Sequence, residues 1–120
     1  MLIERLRSMQ VDLYSTVLMS VALLLLALMP VEKLPPTELW DKWQHVLAFA
    51  ALVLPLSICR PHLILWTILY ALFLGALIEI LQPYFGRFFE AADFLANGVG
   101  VTIGCVISVM LRRYIGFSKY

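Results

Sequence analysis

Apolar residues in this chain fall into four runs, and the polar residues gather at the ends of those runs. The runs cover about 13–31, 43–59, 63–81 and 93–111. The first carries no charge. At about 1.5 Å per helical residue, each run approaches the ~30 Å needed to cross hydrocarbon once its polar-headed end is included. The pattern predicts an all-α membrane protein, a compact bundle of four transmembrane helices. Ahead of the first run, Leu2, Leu6 and Met9 recur at helical spacing, with Arg5, Arg7 and Gln10 elsewhere over 2–12. That predicts a short N-terminal interfacial helix. Pro30, Pro35 and Pro36 end the first span and hold the next loop extended. Arg60-Pro61 makes a tight turn, so the second and third spans should be antiparallel neighbours, and Pro55 should kink the second.

Composition points the same way. The 120 residues leave room for one domain, 1–120, and 62% are hydrophobic against 14% charged. A soluble domain of this size buries too small a fraction of its chain to hide that much apolar surface. The net charge of +1 offers no basic patch for nucleic acid. Cys59 and Cys105 lie in apolar runs without metal or CxxC spacing, so free thiols are expected. The first run is longer than a signal-peptide core and "LALMPVE" lacks a small-x-small site, so this helix is expected to stay uncleaved.

Basic residues set the expected orientation. One set of ends carries Arg5, Arg7, Arg60, Arg112, Arg113 and Lys119. The other carries Lys33, Lys42 and Arg87 among several acids. The bias places both termini in the cytoplasm and the loops 30–45 and 82–92 outside.

Those outer ends hold the candidate chemistry. Asp41 and His45 are four residues apart, Glu79 and Gln82 three, Asp93 and Asn97 four, so each pair shares a helix face. Three helices thus present polar pairs at one depth, with Arg87 and Lys42 as nearby cations. An ionisable group inside a span costs a few kcal/mol, least near the interface, and normally faces the bundle interior. Glu79 or Asp93 should pair with Arg87, and His45 with Asp41 or Glu79; spacing leaves the choice open. His45, Glu79 and Asp93 are the catalytic candidates; Asp41, Lys42, Gln82, Arg87 and Asn97 are the binding candidates. Architectural alternatives stand beside them: Asp41 and Asp93 as N-caps, His45 as an ordinary satisfied histidine, Gln82 as a helix-end cap, Asn97 as an interhelical hydrogen bond. Asp41, His45, Glu79 and Asp93 include metal-ligand types but follow no binding signature, so neither a metal nor another cofactor is assigned. No P-loop, HExxH or Ser/His/Asp order names a reaction. Gly100-Val-Thr-Ile-Gly104 permits close helix approach and offers a face for homo-oligomers, and Gly98 with Gly100 should thin the helix beside Asn97.

In this order, "DKWQH" (41–45), "EILQ" (79–82), "GR" (86–87) and "DFLANGVGVTIG" (93–104) resemble the VanZ-like family of bacterial membrane proteins. The family's name comes from a member associated with low-level teicoplanin resistance. The resemblance implies a multi-pass protein with an outward polar site and a role in envelope biology. Its implied partners are membrane lipids or a lipid-linked cell-wall precursor, bound or modified at the headgroup, with glycopeptide susceptibility as one consequence. Two other classes compete: a transporter or channel component, and a structural partner protein without chemistry. The inner halves offer only Ser15, Thr16, Ser57, Thr67, Tyr70 and Ser108, and this one-sided polarity argues against a conduit within one protomer.

Overall fold

A computed structural model describes residues 2–29, 38–86 and 91–115, the side chains of 38–41 excepted. Five α-helices follow in order: α1 (Leu2–Ser8), α2 (Val11–Ala27), α3 (Glu38–Cys59), α4 (Ile64–Leu81) and α5 (Ala91–Ile115). Short 3-10 turns at Pro61–Leu63 and Gln82–Phe85 flank α4. Among the described residues there is no strand. Lys42–Cys59, Pro61–Phe85 and Ala91–Ile115 are each long and apolar enough to span a membrane. α1 and α2, bent by 64° at their junction, bring the number of spans to as many as four.

Helix ends differ from the apolar pattern for local reasons. The short first helix stops at Ser8, because Gln10 takes a left-handed conformation at φ 57°. That geometry costs a non-glycine residue about 1–2 kcal/mol and cannot continue a right-handed helix. Asp12 therefore belongs to α2. α2 ends at Ala27, not at 31: the Leu28 and Met29 N–H groups bond back to Leu24 and Leu26, and Pro30 has no N–H to extend the ladder. α3 starts at Glu38, before the expected 43, so Asp41 is inside the helix and does not cap it. Pro55 lies within α3, whose assignment runs through it. The proline-rich loop 30–37 lies outside the described residues.

α3 is the hub. It touches α1, α2, α4 and α5, and its largest contact is with α5. The tight turn does make α3 and α4 neighbours, but small residues give α5 the closer approach. A Cβ on Gly100 would overlap the Val46 carbonyl oxygen, and one on Gly104 would lie 2.6 Å from that of Ala50. The Gly100/Gly104 face is thus covered by α3 of the same chain. Gly98 behaves differently from expectation: a Cβ there would meet nothing within 4 Å.

The core joins Phe49, Leu52 and Val53 of α3 with Ala71, Leu74 and Ile78 of α4 and Val101 of α5. Outside it, the usual distribution is inverted. Leu18, Leu25, Trp66, Phe73, Leu95 and Met110 are all more than half exposed, while the buried set holds nearly as many polar side chains as apolar ones. Such an exterior fits lipid as the solvent. Buried hydroxyls bond to the helix itself: Thr16 donates to Asp12 O at 2.8 Å, Thr67 to Leu63 O at 3.0 Å and Ser108 to Cys105 O at 2.7 Å. Ser20 donates to Thr16 O at 2.7 Å and also meets the Tyr70 hydroxyl at 2.6 Å. Both cysteines are free.

Candidate functional site

Two polar layers lie at opposite ends of the bundle, with the apolar core between them. At the end where α3, α4 and α5 carry their acids, α3 supplies Lys42 and His45, α4 supplies Glu79, and α5 supplies Asp93 and Asn97. At least one member of each expected pair thereby converges, from helices that the spacing alone could not orient.

His45 is the centre of the arrangement. Its Nδ1 lies 2.7 Å from Asn97 Oδ1, an interhelical hydrogen bond between α3 and α5. The amide oxygen accepts, so Nδ1 carries the proton and Nε2 is turned toward Asp93. Nε2 lies 3.9 Å from Asp93 Oδ2, and Lys42 Nζ is 3.9 Å from Asp93 Oδ1. Ligand-type atoms of His45, Glu79 and Asp93 all fall within 4.8 Å of one another. The His45 side chain is only 10% exposed and Glu79 is 1% exposed, whereas Lys42, at 37%, reaches in from the rim. Asp93 stands in the first turn of α5, two residues inside its start, so it is not the N-cap. A carboxylate there faces the positive end of the helix.

Gly75 makes room for this contact. A Cβ at that position would lie 2.9 Å from Asn97 Nδ2 and 3.5 Å from Phe49. With Gly100 drawing α5 onto α3, it sets Asn97 where His45 can reach it. Sequence reading passed over Gly75, although it precedes Glu79 by one helical turn and shares its face.

Gln82 takes the architectural alternative. It is buried, and its Nε2 donates to the Ala27 carbonyl at 3.1 Å, closing the end of α2. Asn97, the other residue with an interhelical alternative, fulfils that bond while also holding His45. Among the described residues the imidazole meets Asn97 and Asp93, and a Glu79 carboxylate oxygen also lies within 4.8 Å of a ring nitrogen. Arg87 and the Asp41 side chain lie outside the described residues.

Beside the cluster, α4 and α5 leave a groove of about 390 Å³ lined by Ala76, Glu79, Ile80, Ala91, Phe94 and Leu95. All but Glu79 are apolar, and Ile80 and Leu95 are 62% and 68% exposed on the lipid side. Glu79 therefore belongs to both the polar cluster and the apolar groove.

The opposite layer was missed in part. Asp12 is 1% exposed, and Arg60 Nε donates to its Oδ2, tying the start of α2 to the end of α3. Polarity is thus not one-sided, because a buried ion pair sits where only hydroxyls were expected. The signal was present: Asp12, Thr16 and Ser20 recur every fourth residue, a polar stripe that all three turn inward.

Comparison with curated proteins and with solved structures returned no match. One family model nevertheless matches residues 5–112, nearly the whole chain and all of the motifs from Asp41 to Gly104. The chain belongs to the VanZ/LLP1 family.

Proposed function

We propose that this protein binds the phosphorylated headgroup of an envelope lipid or lipid-linked cell-wall precursor at the His45–Glu79–Asp93 cluster. In this reading it lies in the bacterial cytoplasmic membrane with both termini cytoplasmic and the cluster near the outer leaflet. Arg5, Arg7, Arg60, Arg112 and Arg113 support that orientation, since they belong to the ends of the helices away from the cluster. The observation that carries the proposal is the double membership of Glu79. An amphipathic ligand entering sideways from the bilayer would lay an acyl or prenyl chain along Ile80, Phe94 and Leu95 and bring its headgroup against the polar residues. Lys42 at the rim is placed to contact an anionic group.

A conduit has less support, because Phe49, Leu52 and Ile78 form buried apolar packing between the two polar layers. A purely architectural role accounts for the Asn97 bond and for Gln82, but not for a buried carboxylate set directly behind an apolar groove.

Mass spectrometry of lipids copurifying with the wild type and with Glu79→Gln tests the proposal. Glutamine preserves volume and removes the charge. The wild type should retain one headgroup class that the variant loses. Identical lipid profiles in two equally folded proteins would end the reading. Where the retained class is a cell-wall precursor, the same substitution should change glycopeptide susceptibility in cells.

A further inference from the structure

The described cluster contains two buried carboxylates, which is a poor setting for a phosphorylated headgroup. Glu79 and Asp93 are 1% and 4% exposed, inside a layer that lipid surrounds. Lys42 reaches Asp93 only from a partly exposed position, at 3.9 Å. A cation held between those carboxylates would present positive charge to a phosphate. The geometry points to that cation: we propose that His45, Glu79 and Asp93 form a three-ligand site for a divalent transition-metal ion, best matched by Zn²⁺, with a coordination position left for an oxygen of the incoming headgroup.

Three observations carry the assignment. First, one imidazole nitrogen and two carboxylate oxygens come from three different helices yet lie within 4.8 Å of one another. A tetrahedral ion with bonds of about 2.0–2.2 Å needs donors roughly 3.4 Å apart, so the widest donor separation would have to contract by up to about 1.4 Å. Second, the imidazole is oriented as a ligand. Nδ1 is engaged by Asn97 Oδ1 at 2.7 Å, which turns Nε2 toward Asp93 Oδ2, 3.9 Å away. Metal-binding histidines characteristically give their other ring N–H to such an acceptor. A ring nitrogen and a carboxylate oxygen at that distance suit an ion between them. Third, both carboxylates are almost fully buried, and a divalent ion bound between them lowers the cost of holding such groups within the membrane. The mixed nitrogen and oxygen donor set favours Zn²⁺ over Mg²⁺ or Ca²⁺, which take oxygen alone.

Ion binding itself does not depend on the lipid proposal; only the role of the open position rests on it. The two are tested apart. Protein purified in detergent and stripped with chelator is titrated with ZnCl₂ by calorimetry, and with CoCl₂ by visible spectroscopy. The wild type should take up one equivalent of Zn²⁺. Its Co²⁺ form should show the intense absorption of a four- or five-coordinate ion, and its melting temperature should rise with Zn²⁺ concentration. His45→Ala and Asp93→Asn should abolish uptake. Asn97→Ala, a change at a positioning residue, should keep the stoichiometry and weaken affinity about 10–100-fold. Absence of stoichiometric Zn²⁺ uptake, with only the weak six-coordinate Co²⁺ spectrum, overturns the site whatever the variants do, and so does undiminished uptake by folded His45→Ala. Zn²⁺ bound without selection of any lipid class supports the ion and ends the headgroup proposal. A lipid class retained by protein that binds no Zn²⁺ does the reverse.

Discussion

Gly104→Ala, compared with Gly98→Ala, probes the contact that builds the site. Both glycines lie in α5, so the gain in intrinsic helix propensity, about 1 kcal/mol in water, is shared. The surroundings differ. At Gly98 a Cβ enters open space. At Gly104 it would lie 2.6 Å from the Ala50 carbonyl oxygen and 3.0 Å from the Ala50 Cα, against an ordinary contact distance of 3.4 Å or more. Those neighbours are backbone and cannot rotate away, so α3 and α5 must separate by about 0.8 Å. A gap of that size forfeits a quarter to a half of each affected contact, and overpacking of this kind costs roughly 1–3 kcal/mol. Gly98→Ala should be neutral or mildly stabilising, while Gly104→Ala should be destabilised relative to it by roughly 1–3 kcal/mol. Thermal and SDS-induced unfolding in detergent measure the difference. If Gly104→Ala unfolds at or above the point of Gly98→Ala, the close α3–α5 approach does not hold the bundle as described.

Two further substitutions test other contacts. Gly75→Ala places a Cβ 2.9 Å from Asn97 Nδ2. It should cost about 1–2 kcal/mol and loosen the His45–Asn97 bond, read as a lower melting point together with weaker Zn²⁺ affinity; no change in either would show that Asn97 is not held from that side. Asp12→Ala leaves the Arg60 guanidinium without its carboxylate and should destabilise the protein by about 2 kcal/mol, less than a fully buried pair because the Arg60 side chain is 21% exposed. Asp12→Leu combined with Arg60→Met should recover most of that loss; a double variant as unstable as the sum of the singles would mean that the two residues are not coupled.

The architecture was legible because lipid imposes a simple rule: apolar runs near 20 residues become helices, and costly groups turn inward. Helical spacing therefore paired Glu79 with Gln82 and Asp93 with Asn97 correctly on their faces. It could not say how each helix is rotated about its axis relative to its neighbours, and rotation decides that His45 meets Asn97 while Gln82 turns to Ala27. Gly75, Gly98 and Gly100 look alike in a sequence. Only the opposing surface separates a glycine under pressure from one facing open space. Helix ends moved for equally local reasons, a left-handed Gln10 and the missing N–H of Pro30. Asp12 was overlooked because its polar stripe follows the break at Gln10 directly, at the margin of an otherwise uncharged run.

The bond between Arg60 and Asp12 spans 48 positions of the chain, and this separation bears on how the polypeptide is made. When α2 first enters the bilayer during synthesis, Arg60 is still to be translated, so this bond cannot yet form. The opening segment must therefore wait, shallow or hydrated at its charged end, until the following span has threaded across and delivered its last turn. Only then can the amino-terminal helices settle, so the chain's beginning is among the later parts to reach its final seat.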